Sequence, residues 1–173
     1  SILASSLGIE VHAGHGLDYK STKLLAKIKQ IKEFLISWKD GVIEIGKVYL
    51  DGGEYKLVAN KFLEKHYAFN EADILFKPTF TKEKIFRNNK KAALSYFIGG
   101  DLSEDSGFAL KPWESIELNQ LNTLIEKDLI AAMGTLKFKP HKKEGTILVA
   151  FTFIFTKIGG TLKIKVHHSS PVT

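Results

Sequence analysis

The last third of the chain restricts its fold more than any other part. From Glu114 onward come four long segments, ESIELNQLNTLIEKD, LIAAMGTLKFKP, ILVAFTFIFTKI and TLKIKVHHSS, rich in alternating, β-branched and aromatic residues. Only KD, HKKEG and GG separate them. Breaks this short join antiparallel neighbours, because parallel neighbours need a crossover of a dozen residues or more. Helical periods come first and a strand meander follows. That order predicts an α+β domain: a curved antiparallel sheet with N-terminal helices packed over its concave face and a ligand pocket between the two layers.

Upstream, LISWKDGVIEIGKVYLDGG reads as a helix stopped by Gly52-Gly53. Gly41 and Gly46 inside it each cost about 1 kcal/mol unless close packing compensates. EYKLVANKFLEKHYAF is a second amphipathic helix, with Leu57, Val58, Phe62 and Tyr67 on its buried side. ADILFKPT is a strand closed by Pro78. Asn88 or Asn89 caps a short helix, KKAALSYF, which Gly99-Gly100 ends, and DLSEDSGFALKPW is a loop. The first 34 residues differ in character. GIEVHAG is a short strand, GHG a tight turn, and a helix capped by Asp18 or Ser21 carries Leu24, Leu25, Ile28, Ile31 and Phe34 at helical spacing. This strand-turn-helix unit, residues 1–34, is expected to be an appendage on a domain spanning 35–173.

Composition narrows the function classes. The chain has no cysteine, which excludes disulfides, thiolate zinc sites and cysteine nucleophiles. Its 173 residues carry a net charge of +6, but the lysines are scattered and not interleaved with aromatics, so no nucleic-acid partner is expected. No apolar run reaches membrane-spanning length, and no membrane partner is expected either. The basic balance is compatible with a small anionic ligand.

The segment TLKIKVHHSS carries the chemistry-bearing residues. Strict alternation puts Leu162, Ile164, Val166, His168 and Ser170 on one face, and Thr161, Lys163, Lys165, His167 and Ser169 on the other. The first set is apolar until its last members, so His168 and Ser170 are expected at the polar end of the buried face, with His167 turned away. Adjacent strand histidines cannot share a metal without a bulge. His66 and His141 are further ligand candidates by residue type alone, without supporting spacing.

From about Leu35 to Ser170 the chain resembles the ι-carbonic anhydrases, members of the SnoaL-like cone-fold group that also contains the association domain of calcium/calmodulin-dependent kinase II. The residues carrying the resemblance are FKPT (Phe76 to Thr79), ALSYFIGGD (Ala93 to Asp101), EDSGFALKPW (Glu104 to Trp113), AMG (Ala132 to Gly134) and VHHSS (Val166 to Ser170). Their order and spacing fit together over about four-fifths of the chain. The chain departs from the family after HHSS, where PVT replaces a Leu-Pro-Tyr-like ending, and in the FTFIF strand. Residues 1–34 resemble instead the C-terminal part of pyridoxine 5′-phosphate synthase, through VHAGHGLDY. In that barrel enzyme the GHG turn lies near a phosphate site. The remaining barrel strands and catalytic set are missing here, so the segment reads as a fusion remnant and His12 and His15 as structural or exposed.

The first resemblance implies reversible hydration of carbon dioxide to bicarbonate in the cone's pocket. The family has been described both as metal-free and as metal-dependent. The expectation is a metal-free site, with zinc or manganese left open, in a homodimer. The family's substrate-binding groups correspond to Thr79, Tyr96 and a serine of HHSS, which the face argument makes Ser170. His168 comes with the same motif, and a neutral imidazole suits the proton better than a phenol of pKa about 10. Phe76, Leu94, Phe97, Phe108 and Trp113 are expected as apolar walls, with Ser169 near the substrate. Two alternatives stand beside this one. A non-catalytic cone domain would assemble subunits or bind a small acid. A SnoaL-like cyclase or isomerase would need a pocket carboxylate such as Asp73 or Asp101.

Overall fold

The computed structural model describes residues 2–4, 9–13 and 22–173. The GHG turn, His15 and the caps Asp18 and Ser21 lie outside the described residues. In chain order the elements are β1 (Ile2–Ala4), β2 (Ile9–Ala13), α1 (Thr22–Leu50), α2 (Tyr55–His66), β3 (Leu75–Lys77), α3 (Lys90–Ile98), a 3-10 turn at Phe108–Leu110, β4 (Trp113–Ile125), β5 (Ile130–Pro140), β6 (Ile147–Ile158) and β7 (Thr161–Pro171).

The four long strands form the expected antiparallel meander, β4-β5-β6-β7. Both of its edges are extended by parallel pairing, β2 along β4 and β3 along β7, giving the sheet order β1-β2-β4-β5-β6-β7-β3. The sheet is therefore mixed. The helical segments between β2, β3 and the meander supply the long crossovers that parallel pairs require.

Helix α1 runs unbroken through Phe34 and Leu35, both buried. Leu24, Ile31, Phe34, Leu35, Trp38, Val42 and Ile45 form its inward stripe, and these residues join the same apolar core as Phe151, Phe153 and Phe155 of β6. Leu25, expected inward, is 54% exposed. In α2 the buried residues are Ala59, Phe62, Leu63 and His66, with Tyr67 buried just beyond, while Leu57 is 53% exposed. Helical spacing from Phe62 inward selects Ala59, Leu63 and His66, and the apolar Leu57 falls off that stripe. Asn89 caps α3, its side chain accepting the Ala92 N–H at 2.9 Å. Gly99 ends the helix with φ +73°, its N–H bonded to the Ser95 carbonyl at 2.6 Å.

The two glycines inside α1 have a packing reason. A Cβ on Gly41 would lie 2.5 Å from the Phe62 ring. One on Gly46 would lie 2.6 Å from Pro112 Cβ and 2.8 Å from the Ala109 carbonyl oxygen. The close approach at Gly46 seats the loop before β4, which forms one wall of the cavity described below. Gly46→Ala is accordingly expected to lose about 1–3 kcal/mol in urea unfolding despite alanine's better helix propensity, because Pro112 and Ala109 meet it with backbone-anchored atoms.

Candidate active site

The last strand does not alternate strictly. Between β6 and β7 the pairs run Phe155↔Ile164 and then Ile154↔Val166, so Lys165 is the extra residue of a bulge. Leu162 and Ile164 face the core as expected, but beyond the bulge every side chain changes face. His167 (4% exposed) and Ser169 (3%) point inward. His168 is exposed and Ser170 half-buried, both on the outer face, correcting the assignment from alternation. Spacing gave no cue to the bulge, because lysines at 163 and 165 sit equally well on the outer face of an unbroken strand. The Lys165 ammonium donates to the Asp73 carbonyl at 3.2 Å.

Inward, these residues meet groups from five other helices and strands, the 3-10 turn and the loop after β3. Trp38 (α1), Phe76 (β3), Pro78, Thr79, Tyr96 and Phe97 (α3), Phe108, Phe138 (β5), and Val149, Phe151 and Phe153 (β6) join His167 and Ser169 around a small cavity. The space open to the centre of a water-sized sphere is about 10 Å³, room for about one water. Phe76, Phe97 and Phe108 are walls, as the sequence suggested. Trp113 stands one layer back, 5.3 Å from Phe108 between ring centres, and Leu94 is only partly buried outside the lining. A vestibule of about 160 Å³ opens beside the cavity, sharing Tyr96 and Phe108 with it and lined otherwise by Phe80, Glu104, Asp105, Ser106, Gly107, Lys111 and Trp113.

The polar atoms form two sets. In the first, the Tyr96 phenol accepts the Phe80 N–H at 3.2 Å and is hydrogen-bonded to the Thr79 hydroxyl. Burial pushes the Tyr96 pKa well above that of a free phenol, so it is a neutral donor at physiological pH. The second set is a chain that sequence reasoning missed. The Trp38 indole N–H donates to Tyr67 Oη at 3.2 Å, Tyr67 Oη lies 2.9 Å from His167 Nδ1, and His167 Nε2 lies 2.6 Å from Ser169 Oγ. Burial holds Tyr67 neutral too, and its hydroxyl proton has His167 Nδ1 as acceptor. That fixes the imidazole with its proton on Nε2, donating to Ser169 Oγ, which frees the serine's own proton. Burial also carries the His167 pKa well below its ordinary value, with smaller contributions from His168 and Lys77. His167 is thus an orienting group rather than a ready base. Tyr67 and Trp38 read in sequence as ordinary helix-face aromatics, and nothing in their spacing marked them.

A buried ion pair behind Tyr96 stiffens it and the vestibule. The Arg87 side chain is fully buried and makes a two-pronged pair with Asp105 at 2.7 and 2.8 Å. It also donates to the carbonyls of Lys84 and Ala92 at 2.8 and 3.1 Å. Ser95 Oγ donates to the same Asp105 carboxylate at 2.6 Å, and the guanidinium carbon lies 5.9 Å from the centre of the Tyr96 ring. Glu104 accepts the N–H groups of Lys82, Glu83 and Lys84 at 2.8, 3.0 and 2.8 Å, and these bonds hold its carboxyl below the usual range.

The remaining candidates lie elsewhere. His66 is buried, with Nδ1 2.8 Å from the Phe62 carbonyl and Nε2 2.8 Å from Ser37 Oγ, and His141 is half-buried just after β5. Among the described residues no three His, Asp or Glu side chains form a metal-holding group. Asp73 and Asp101 are exposed and outside the cavity, and His12 is partly exposed, 3.8 Å from Glu10. Burial pushes His66 down to about 4. The unfolded chain therefore takes up protons at His66 and His167 first as the pH falls below 6.5, and that uptake removes stability from there down to about 4. Urea midpoints are expected to fall from pH 7 to pH 5, and His66→Gln is expected to flatten that slope.

Fold and site together define a cone-fold protein with a minute, phenylalanine-walled cavity lined by hydroxyls. The chain belongs to the metal-independent carbonic anhydrase family, whose profile matches residues 29–171. The metal-independent carbonic anhydrase of Nostoc sp. is 31% identical over 140 residues, covering 78% of this chain and 68% of that protein. The crystal structure of a cyanobacterial iota-carbonic anhydrase complexed with bicarbonate superposes with a TM-score of 0.78 at 29% identity, covering 84% of this chain and 92% of that one. A chain of the NTF2-like family from Streptomyces avermitilis shares the fold alone, with a TM-score of 0.53 at 11% identity over 86% of this chain and 98% of that one. Residues 1–39 match a second family, pyridoxal phosphate biosynthesis protein PdxJ. The pyridoxine 5′-phosphate synthase of Pelagibacter ubique is 69% identical over 36 residues, which are 21% of this chain and only 15% of that enzyme. The two matches overlap within α1.

Proposed function

We propose that this protein reversibly hydrates carbon dioxide to bicarbonate without a metal cofactor, in the cavity bounded by Thr79, Tyr96 and Ser169. The observation that carries this reading is the convergence of those three hydroxyl residues on one phenylalanine-walled space, in a chain of this family. Carbon dioxide is small and apolar, and it suits the walls. The product is an anion, and it suits donors aimed where charge develops. Tyr96, held neutral, and Ser169, freed by the His167 Nε2–H, supply those donors, while Thr79 sets the direction of the phenol. The attacking water enters from the vestibule, and its proton leaves by the same route, past the Glu104 and Asp105 carboxylates. Ser169 thereby takes the role that alternation gave to Ser170, and His167 the place given to His168.

The cavity's size and its lack of a carboxylate do not support a cyclase or isomerase that would need Asp73 or Asp101. Stopped-flow hydration with the metal-stripped protein is the test: acceleration that survives chelator is expected, and no acceleration with or without added zinc or manganese would overturn the reading in favour of a non-catalytic cone.

For the assembly we infer a homodimer through the outer face of the sheet. Leu124, Ala131, Met133 and Thr152 surround a largely apolar groove of about 360 Å³ there, with His12 at its edge and Met133 58% exposed, while the helices pack on the other side. Light scattering that gives a dimer mass for the parent and a monomer for Met133→Lys is the expected result. We read residues 1–34 as a fusion remnant absorbed into this domain, a reading that its pairing with β4 and the continuity of α1 support.

A further inference from the structure

The cavity hydroxyls of Thr79 and Ser169 come from different segments, and the sheet ladder between them is interrupted. Strand β3 pairs with β7 only as far as Lys77↔His168, because the next residue, Pro78, has no N–H to continue the ladder. Lys77 lies opposite His168 on the outer face, so its side chain stands behind the cavity and not in it. Its ammonium donates to the Ser169 carbonyl at 2.8 Å and reaches the Thr79 carbonyl at 3.4 Å. One cation thus spans the gap that proline leaves, gripping the main chain of both residues. Burial draws the Lys77 pKa below its ordinary value, in keeping with an ammonium drawn against the sheet edge.

We propose that Lys77 is a positioning residue that sets the separation of the Thr79 and Ser169 hydroxyls, and so the geometry of the anion site; this rests on the function proposed above. Three donors and a full charge suit it to hold two carbonyls at once, which a methionine of similar length cannot do. An arginine keeps both the charge and the donors.

The experiment compares Lys77→Met and Lys77→Arg by stopped-flow hydration, by thermal unfolding and by titration with ¹³C-bicarbonate followed by NMR. Lys77→Met is expected to lower kcat about tenfold and to weaken bicarbonate binding comparably, because a displacement well under 1 Å already misaligns the donors. Lys77→Arg is expected to recover most of both. Parent-like kcat and bicarbonate affinity in Lys77→Met would overturn the proposal. So would a loss no greater than the loss of folded protein, or an arginine variant as impaired as the methionine one. If the parent protein hydrates no carbon dioxide, the functional reading fails by itself, and the bicarbonate titration alone decides on Lys77: weaker binding in Lys77→Met, restored in Lys77→Arg, upholds it, and unchanged or absent binding overturns it.

Discussion

Ser169→Ala is expected to lower carbon dioxide hydration by about 10²–10³-fold, the usual consequence of deleting one aimed donor to a developing anion. Ser170→Ala is expected to stay within about twofold of the parent, as an outer-face substitution that removes nothing from the cavity. The contrast matters more than either value. Both substitutions delete the same hydroxyl at neighbouring positions of one strand, yet Ser169 is 3% exposed and bonded to His167 Nε2, whereas Ser170 lies across the sheet from the cavity. The histidines should behave in parallel. His167→Ala removes the group that orients Ser169 and should cut the rate strongly, while His168→Ala should leave it near the parent's. Stopped-flow hydration at matched folded fractions is the measurement. Equal effects for the two serines would remove the face assignment on which the mechanism stands.

Asp105→Asn is expected to destabilise the protein by about 3 kcal/mol, the lower end of the range seen when one partner of a buried pair is removed, because Arg87 keeps the longer 3.6 Å contact with Glu104. The guanidinium of Arg87 is fully buried and the Asp105 side chain 3% exposed, so water cannot replace the missing charge. For a chain of this size that loss corresponds to a melting temperature lower by roughly 10 °C. Ser95 Oγ and the Leu102 N–H that it accepts belong to the same network, so the loss extends to the end of α3 and to the setting of Tyr96. The double variant Arg87→Met/Asp105→Leu is expected to recover part of the stability, since the fully buried pair is then gone and Glu104 keeps its three backbone N–H donors. Differential scanning calorimetry checks both expectations, and an Asp105→Asn melt within 2–3 °C of the parent, under about 1 kcal/mol, would contradict the first.

Much of the architecture could be read from residues. Short breaks between long apolar segments fixed the meander, Asn89 and Gly99 marked the ends of α3, and the glycines of α1 announced close packing that Phe62 and Pro112 provide. Thr79, Tyr96 and three phenylalanines of the cavity were also legible, through the motifs in which they sit. What stayed hidden depends on tertiary register. The parallel edges of the sheet are set by crossovers whose direction no local pattern encodes. Trp38 and Tyr67 become part of the site only because α1 and α2 bring them over β7. The inward face of β7 was misread for a simple reason: period-two reasoning assumes an unbroken ladder, and one unpaired residue, Lys165, inverts everything downstream of it.

That unpaired residue has a consequence for how such a cavity changes over time. Deleting Lys165 would leave His167 and Ser169 inward, whereas drawing Lys165 into the ladder would turn His168 and Ser170 inward and expel them, so a one-residue slip of register exchanges one imidazole–hydroxyl couple for another of the same composition. The doubled sequence His-His-Ser-Ser is what makes the exchange chemically silent in residue type. A slip that would scramble most strand-borne sites is here met by a spare copy, already in phase.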